Sequence, residues 1–102
     1  LLMQNLLIIG TIVHHNKYGY RGVIASFDPV CRADSAWYSK NRTQPTRSQP
    51  WYHVLVDGAD TTTYVAAENL EQAARVHPIQ NPLLNHFFFT YYRGRYYALA
   101  LN

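Results

Sequence analysis

The sequence predicts a mainly β domain, and three observations support this prediction. Aromatic residues make up 15% of the 102 residues, with nine tyrosines among them, and aromatic rings pack well on the half-buried surface of a strand. Runs of β-branched residues occur in two pairs, and each pair is separated by a short turn segment that contains glycine. An apolar fraction of 48% is enough for one hydrophobic core. We therefore predict that residues 1–102 form a single domain.

The first pair of strands is predicted near residues 8–27. Ile8 to His15 is apolar and β-branched, and Asn16 to Tyr20 is a turn cluster that contains the conformationally permissive Gly19. Arg21 to Phe27 then follows as the second strand of a hairpin. The apolar opening, Leu1 to Gly10, is assigned to the first strand because it is about half the length that crosses a bilayer.

A second hairpin is predicted directly after residue 50. Trp51 to Val56 alternates as a strand does, Asp57 to Asp60 forms a turn, and Thr61 to Ala66 is another β-branched run. Residues 67–70 are expected to end this strand in one helical turn. Leu70 is expected to fill one end of the core.

The C-terminal part predicts the only substantial helix, over residues 82–91. Asn81 is a typical helix-capping residue, Pro82 suits the first helical position, and Gly94 suits a helix end. Residues 95–101 are expected to return as a short strand. The apolar residues that recur at helical spacing are Leu83, Leu84, Phe87, Phe88 and Tyr91.

A long segment, Asp28 to Pro50, interrupts the strand pattern. It contains three prolines and has no sustained hydrophobic period, although Asp34 to Lys40 can form a short helical turn. Unstructured loops of this length are usually functional or disordered. Residues 14–47 carry six basic and two acidic residues, a net +4, whereas the remaining residues carry three and four, a net −1. This pattern indicates an acidic partner, and a solvated basic loop would give the same pattern.

The predicted contact surface is the first hairpin turn together with this long loop. Basic residues there would meet phosphates, while Trp37 or Tyr38 would contact bases or grooves. About half of the strand aromatics must face the core, which leaves only a few exposed. The predicted nucleic-acid-binding residues are Lys17, Tyr18, Tyr20, Arg21, Arg32, Trp37, Tyr38, Lys40, Arg42 and Arg47.

Catalytic and metal chemistry are not predicted. His14 and His15 are adjacent, and neighbouring side chains of a strand point to opposite faces, so they do not share one ion. Cys31 is the single cysteine, which excludes an internal disulfide and leaves no cysteine pair for zinc. The absence of disulfides is typical of a reducing compartment, and we expect a cytoplasmic protein without a cofactor. Asp28-Pro29 is expected to form a turn that ends the second strand.

Several blocks, in order along the chain, resemble the YccV-like family, which is also called the hemimethylated-DNA-binding domain. The similarity is strongest over residues 8–70, and residues 77–102 resemble a helical and aromatic extension carried by longer, fused members. Residues 39–48 match no block of the family. The matching blocks are residues 9–15, 18–24, 27–31, 49–56 and 64–70.

The resemblance implies a fold and two functions. The fold is a small SH3-like, strongly bent antiparallel barrel, in agreement with the two hairpins predicted from the residues alone. One function is noncatalytic binding of double-stranded DNA, specifically hemimethylated DNA. The alternative is a protein-interaction adaptor or specificity factor for an ATP-dependent protease, as in bacterial heat-shock protein Q, a stress-response protein. In that case the partner is the protease or its substrate protein.

Overall fold

A computed structural model describes residues 7–98 and confirms the mainly β class. Five strands form one antiparallel sheet in the order β4-β3-β2-β1-β5, and β6 and β7 form a separate hairpin. Two short helices and a 3₁₀ turn, Ala67–Asn69, complete the described structure. The strands are β1 Ile12–His15, β2 Arg21–Asp28, β3 Trp51–Val56, β4 Thr62–Ala66, β5 Leu70–Gln72, β6 Phe88–Tyr92 and β7 Arg95–Ala98, and the helices are α1 Ser35–Lys40 and α2 Leu84–Phe87.

The chain connectivity requires the five-stranded sheet to bend. β4 and β5 are the two edge strands of the sheet. β4 ends at Ala66 and β5 begins at Leu70, four residues later. A fully extended chain of four residues spans at most about 14 Å. A flat sheet would hold these edges about 19 Å apart. A β-bulge between Ile24 and Ser26 on β2 provides one bend. β4 and β5 do not pair with each other within residues 7–98, so full closure of the predicted barrel stays a prediction.

Both predicted hairpins are present, but the first strand begins later than expected. Residues 8–11 are not part of β1, and the predicted residues 1–6 lie outside the described chain. Gly10 has a φ of +94°, and its carbonyl accepts a hydrogen bond from the Tyr96 N–H at 3.0 Å. The Gly10 N–H also donates to the Ile24 carbonyl of β2 at 2.8 Å, so this segment contacts both β2 and β7, and the regular ladder begins at Ile12.

The predicted C-terminal helix is present, but it is much shorter than the predicted residues 82–91. Only α2 is helical, and residues 88–92 instead pair with β7. Arg93 and Gly94 both have positive φ, at 49° and 84°, which is the backbone of a two-residue hairpin turn. Gly94 therefore ends a strand and not a helix, and the aromatic run takes the extended form that suits it. No helix between residues 7 and 98 is long and apolar enough to span a membrane.

The C-terminal segment belongs to the main core. One buried cluster joins Ile12, Val23 and Leu55 of the sheet to Ala73, Ile79, Phe88 and Tyr96. Leu83 and Leu84 pack against this cluster, so most of the predicted apolar stripe is core. A second cluster contains Leu70, which is buried beside Val13 and Ile24 as the first residue of β5.

Candidate nucleic-acid interface

The long loop between β2 and β3 is held in one conformation by its own hydrogen bonds. The N–H of Cys31 donates to the Arg47 carbonyl at 2.9 Å and ties the two arms together. The predicted helical turn is confirmed as α1, which Asp34 caps by accepting from the Trp37 N–H at 2.8 Å. The Tyr38 hydroxyl donates to the Pro45 carbonyl at 2.7 Å. These bonds place α1 over the sheet.

Aromatic contacts fix α1 to the sheet. The Trp37 ring lies edge-on to Tyr64 of β4, with ring centres 5.7 Å apart, and 6.1 Å from the buried Trp51 of β3. The Tyr64 hydroxyl donates to Asp28 Oδ2 at 2.6 Å and accepts from the Arg32 N–H at 3.0 Å. Burial and the bond to Asp28 raise the pKa of Tyr64 to about 12. The phenol is therefore neutral at physiological pH.

A concave pocket of about 370 Å³ lies between the loop, the first hairpin turn and β4. No carboxylate side chain lines it among the described residues. Tyr20, which lies in its wall, bonds Thr63 Oγ1 at 2.7 Å, and burial raises the pKa of the Tyr20 phenol. We call this the aromatic pocket, and its ring-bearing residues are His15, Tyr18, Tyr20, Trp37, Trp51 and Tyr64.

His15 positions the hairpin turn at one side of the aromatic pocket. Its Nδ1 accepts hydrogen bonds from the N–H groups of Lys17 at 3.1 Å and Tyr18 at 3.0 Å. This arrangement requires the neutral ring with its proton on Nε2. Burial, followed by the charges of His14 and Lys17, lowers the pKa of His15. The ring stacks on Tyr18 with centres 4.6 Å apart, which holds Tyr18 at the pocket mouth.

Four of the predicted basic residues are exposed, and three of them flank residues of the aromatic pocket. Lys17 precedes Tyr18, and Lys40 and Arg42 flank Asn41, which lines the pocket. The Arg42 guanidinium lies 5.8 Å from the centre of the Tyr18 ring. Arg32 is also exposed, with Nε 3.8 Å from Asp28 Oδ1. We call the set Lys17, Arg32, Lys40 and Arg42 the cationic rim.

Arg21 and Arg47 lie differently, because their guanidinium groups bond to the protein itself. Arg21 pairs with Asp57 at 3.0 Å. It also donates to three backbone carbonyls of the segment after β5, those of residues 75, 77 and 78. Arg47 donates to the Ala33 carbonyl and lies 4.9 Å from the centre of the Tyr38 ring. Arg21, Arg47 and Tyr38 therefore stabilise the fold and the loop.

The histidines and the cysteine are dispersed in the structure. His14 and His15 lie on opposite faces of β1 as predicted, and the His14 Nδ1 is 3.1 Å from Glu71 Oε2. Cys31 is buried against Trp51 and Ala66. Within residues 7–98, no three His, Cys, Asp or Glu side chains come together as metal ligands.

Sequence reasoning missed most residues of the aromatic pocket, among them His15, Tyr64 and Asn69. Each lies in or beside a strand, where the sequence pattern indicates a core or structural role. His15 and Asn69 share one sequence signal, which is a position next to a turn. His15 precedes the first hairpin turn, and Asn69 ends the turn after β4. Only the bend of the sheet shows that these positions face the same pocket.

The bent antiparallel sheet has an aromatic pocket beside exposed cations, an arrangement that is typical of small β modules that bind nucleic acids. A family model described as "Hemimethylated DNA-binding protein YccV like" matches residues 7–95. The chain therefore belongs to the YccV-like family of DNA-binding domains.

Curated relatives carry this domain inside much longer proteins. The chain is 34% identical over 83 residues to F-box only protein 21 of Homo sapiens, a match that covers 78% of this chain and 13% of the human protein. The Pongo abelii protein of the same name gives the same values. The Mus musculus protein is 32% identical over 83 residues, with the same coverage. The chain thus spans about an eighth of the length of these relatives.

Proposed function

We propose that the chain is a noncatalytic module that binds double-stranded DNA through the cationic rim. The observation that carries this proposal is the position of Lys17, Lys40 and Arg42, which are exposed and have no acidic partner within residues 7–98. Unpaired cations of this kind release counterions when they meet phosphates, and that release drives DNA binding. A cytoplasmic location is part of the same proposal, and the buried thiol of Cys31 is consistent with it.

The distribution of carboxylates supports the same orientation of an anionic partner. A second groove, of about 620 Å³, is lined by Glu68 and Glu71, whereas the aromatic pocket has no such groups among the described residues. Like charges repel phosphate, so DNA approaches the aromatic pocket more favourably than this groove.

The salt dependence of DNA affinity tests the proposal. We expect the combined changes Lys17→Gln, Lys40→Gln and Arg42→Gln to weaken binding to all duplex sequences. They should also flatten the log-log salt slope by up to about 2.7, because each phosphate contact contributes about 0.9. A matched control changes Arg75 and Arg93, which are exposed outside the cationic rim, to Gln. An unchanged slope in the triple variant would remove the cationic rim from DNA binding.

Selectivity for hemimethylated DNA is the finer part of the proposal, and it is supported by the family description alone. One methyl group buried against an apolar surface contributes about 0.8 kcal/mol, or about a fourfold preference. Rejection of a second methyl group requires a clash or an unpaired polar group. We propose a preference below about tenfold for hemimethylated over unmethylated duplex. Titrations of duplexes that differ only in the methyl group measure this ratio, and a hundredfold preference would contradict it.

A second candidate function is a protein adaptor, such as a specificity factor for an ATP-dependent protease. The β6–β7 hairpin favours this alternative because it exposes aromatic side chains, with Phe89 64% exposed and Tyr92 56% exposed. Exposed aromatic residues are enriched in protein interfaces. Capture of proteins from lysate with and without nuclease separates the two functions. Nuclease-resistant capture that Phe89→Ser and Tyr92→Ser abolish would favour the adaptor.

A further inference from the structure

We propose that the aromatic pocket receives a single DNA base that has turned out of the double helix, while the cationic rim holds the neighbouring phosphates. This inference rests on the proposed DNA binding and adds a ligand for the pocket. It depends on three features of the pocket, which are its aromatic walls, the polar side chains in those walls and the sign of the surrounding charge.

The aromatic walls are accessible to a flat ring. Trp37 is 38% exposed and Tyr18 is 49% exposed, and both line the pocket from opposite segments, α1 and the first hairpin turn. Every nucleobase has a flat π-face that stacks on such rings. A volume of about 370 Å³ lies within the range of small-ligand sites. A paired base inside the duplex cannot enter a pocket of this shape, so the ligand must be an unstacked one.

Asn69 supplies a polar side chain to the wall of the pocket. The residue is only 3% exposed, and its side-chain amide makes no hydrogen bond to another residue between 7 and 98. The amide can therefore bond a ligand in the pocket without breaking a contact to these residues. Its two donors and its acceptor match the polar edge of a base. His15, whose Nδ1 is occupied by the turn, adds a second donor at Nε2.

The positive charge around the pocket excludes a quaternary ammonium group, which is another common ligand of aromatic pockets. Such cations bind to aromatic faces, but the Arg42 guanidinium already lies near the Tyr18 ring. Lys17 follows His15 closely in the same turn, and no lining residue within 7–98 is acidic. A neutral base can stack on the aromatic walls, while the anionic phosphates of its backbone contact the cationic rim.

The test compares two duplexes of identical sequence, one fully paired and one with a single unpaired base, at the same salt concentration. An unpaired base lowers the cost of extrusion, so we expect about tenfold tighter binding to the second duplex. Trp37→Ala and Tyr18→Ala should each bring the two affinities together, because each removes a stacking surface. Phe89→Ala is the matched control, since Phe89 is an exposed aromatic residue of β6, and it should leave the ratio unchanged.

The outcomes separate this inference from the proposed function. If the protein without substitutions shows no salt-sensitive binding to either duplex, the DNA-binding proposal itself is overturned. Equal affinities for the two duplexes would overturn only the proposal that the pocket binds a base. A preference for the unpaired base that persists in both Trp37→Ala and Tyr18→Ala would overturn it as well. Trp37 packs on Trp51, so circular dichroism of each variant is required. If Trp37→Ala unfolds, Tyr18→Ala and Asn69→Ala decide the question.

Discussion

His15 connects the stability of the domain to the geometry of its pocket. Its buried ring holds the turn at Lys17 and Tyr18 through Nδ1, and Tyr18 in turn forms one wall of the aromatic pocket. A proton on Nδ1 would remove both acceptor contacts, since a charged imidazole has two donors and no acceptor.

Acid should therefore destabilise the protein through His15. Because the pKa of His15 is lowered in the folded state, the unfolded chain takes up this proton first. The contribution of His15 is full above pH 6.5 and is lost as the pH falls below that value. Urea unfolding between pH 7.5 and pH 5 measures the loss. His15→Asn retains an acceptor but does not titrate, and we expect a flatter pH dependence, whereas an identical one would contradict the assignment.

The candidate contact residues were only partly predictable from the sequence. Charge counting placed a positive surface on the first turn and the loop, and Lys17, Lys40 and Arg42 are exposed there. The same counting cannot distinguish Arg21, because its partners are the carbonyls of residues 75, 77 and 78, which only the tertiary fold brings close. Asn69 was missed for a similar reason, since an asparagine in a turn is usually a structural residue.

Two glycines show how differently the same residue type acts within the elements. Gly10 and Gly19 both have positive φ, at 94° and 76°. A Cβ at Gly10 would lie 1.9 Å from the Tyr96 carbonyl oxygen, whereas nothing lies within 4 Å of one at Gly19. Gly10 therefore permits the close approach of the β6–β7 hairpin to the sheet, and Gly19 only shapes a turn.

Substitution by alanine should separate these two roles. Gly19→Ala carries only the backbone penalty and should lower the free energy of unfolding by about 1–2 kcal/mol. Gly10→Ala adds a clash with a backbone atom, and we expect a loss above about 3 kcal/mol. Denaturant unfolding of both variants measures the difference. Equal losses would show that the hairpin can move away from Gly10 without cost.

Elements with strong local signals were predicted well, and elements with competing signals were not. The first two hairpins combine β-branched runs with a glycine turn, and both are present. Residues 82–91 fit a helical spacing and a strand composition equally. Pairing with β7 and burial of Phe88 decide in favour of the strand, and neither is visible in a local window of sequence.

The core of the molecule joins the five-stranded sheet to the segment that follows β5, and the family model spans both. Val23 and Leu55 are fully buried, and Ala73, Ile79, Phe88 and Tyr96 belong to the same cluster. Asn81 adds polar contacts by donating to the Val56 carbonyl at 2.9 Å and to the Thr61 carbonyl at 3.2 Å. The sheet therefore depends on residues that follow β5.

A fragment that ends at Gln72 should fail to fold cooperatively. It would expose one side of Ile12, Val23 and Leu55, and each newly exposed large apolar side chain costs about 1.5–3 kcal/mol. For these three side chains the total is at most about 4.5–9 kcal/mol, which is comparable to the usual stability of a domain of this size. Thermal unfolding followed by circular dichroism compares the fragment with the full chain. A sigmoidal transition in the fragment would contradict this prediction. It would show that the residues up to Gln72 fold as a unit of their own.

The hydrogen bond from the Cys31 N–H to the Arg47 carbonyl holds together the two ends of the long loop. The loop can therefore differ in length between related proteins. Residues 41–43 lie between the end of α1 at Lys40 and the anchor that the Tyr38 hydroxyl makes at Gln44 and Pro45. Doubling the length of a loop costs only about 0.6 kcal/mol, so insertions there leave the sheet intact. A related chain with a longer or different stretch at this place should therefore keep the same sheet while the wall of its pocket changes.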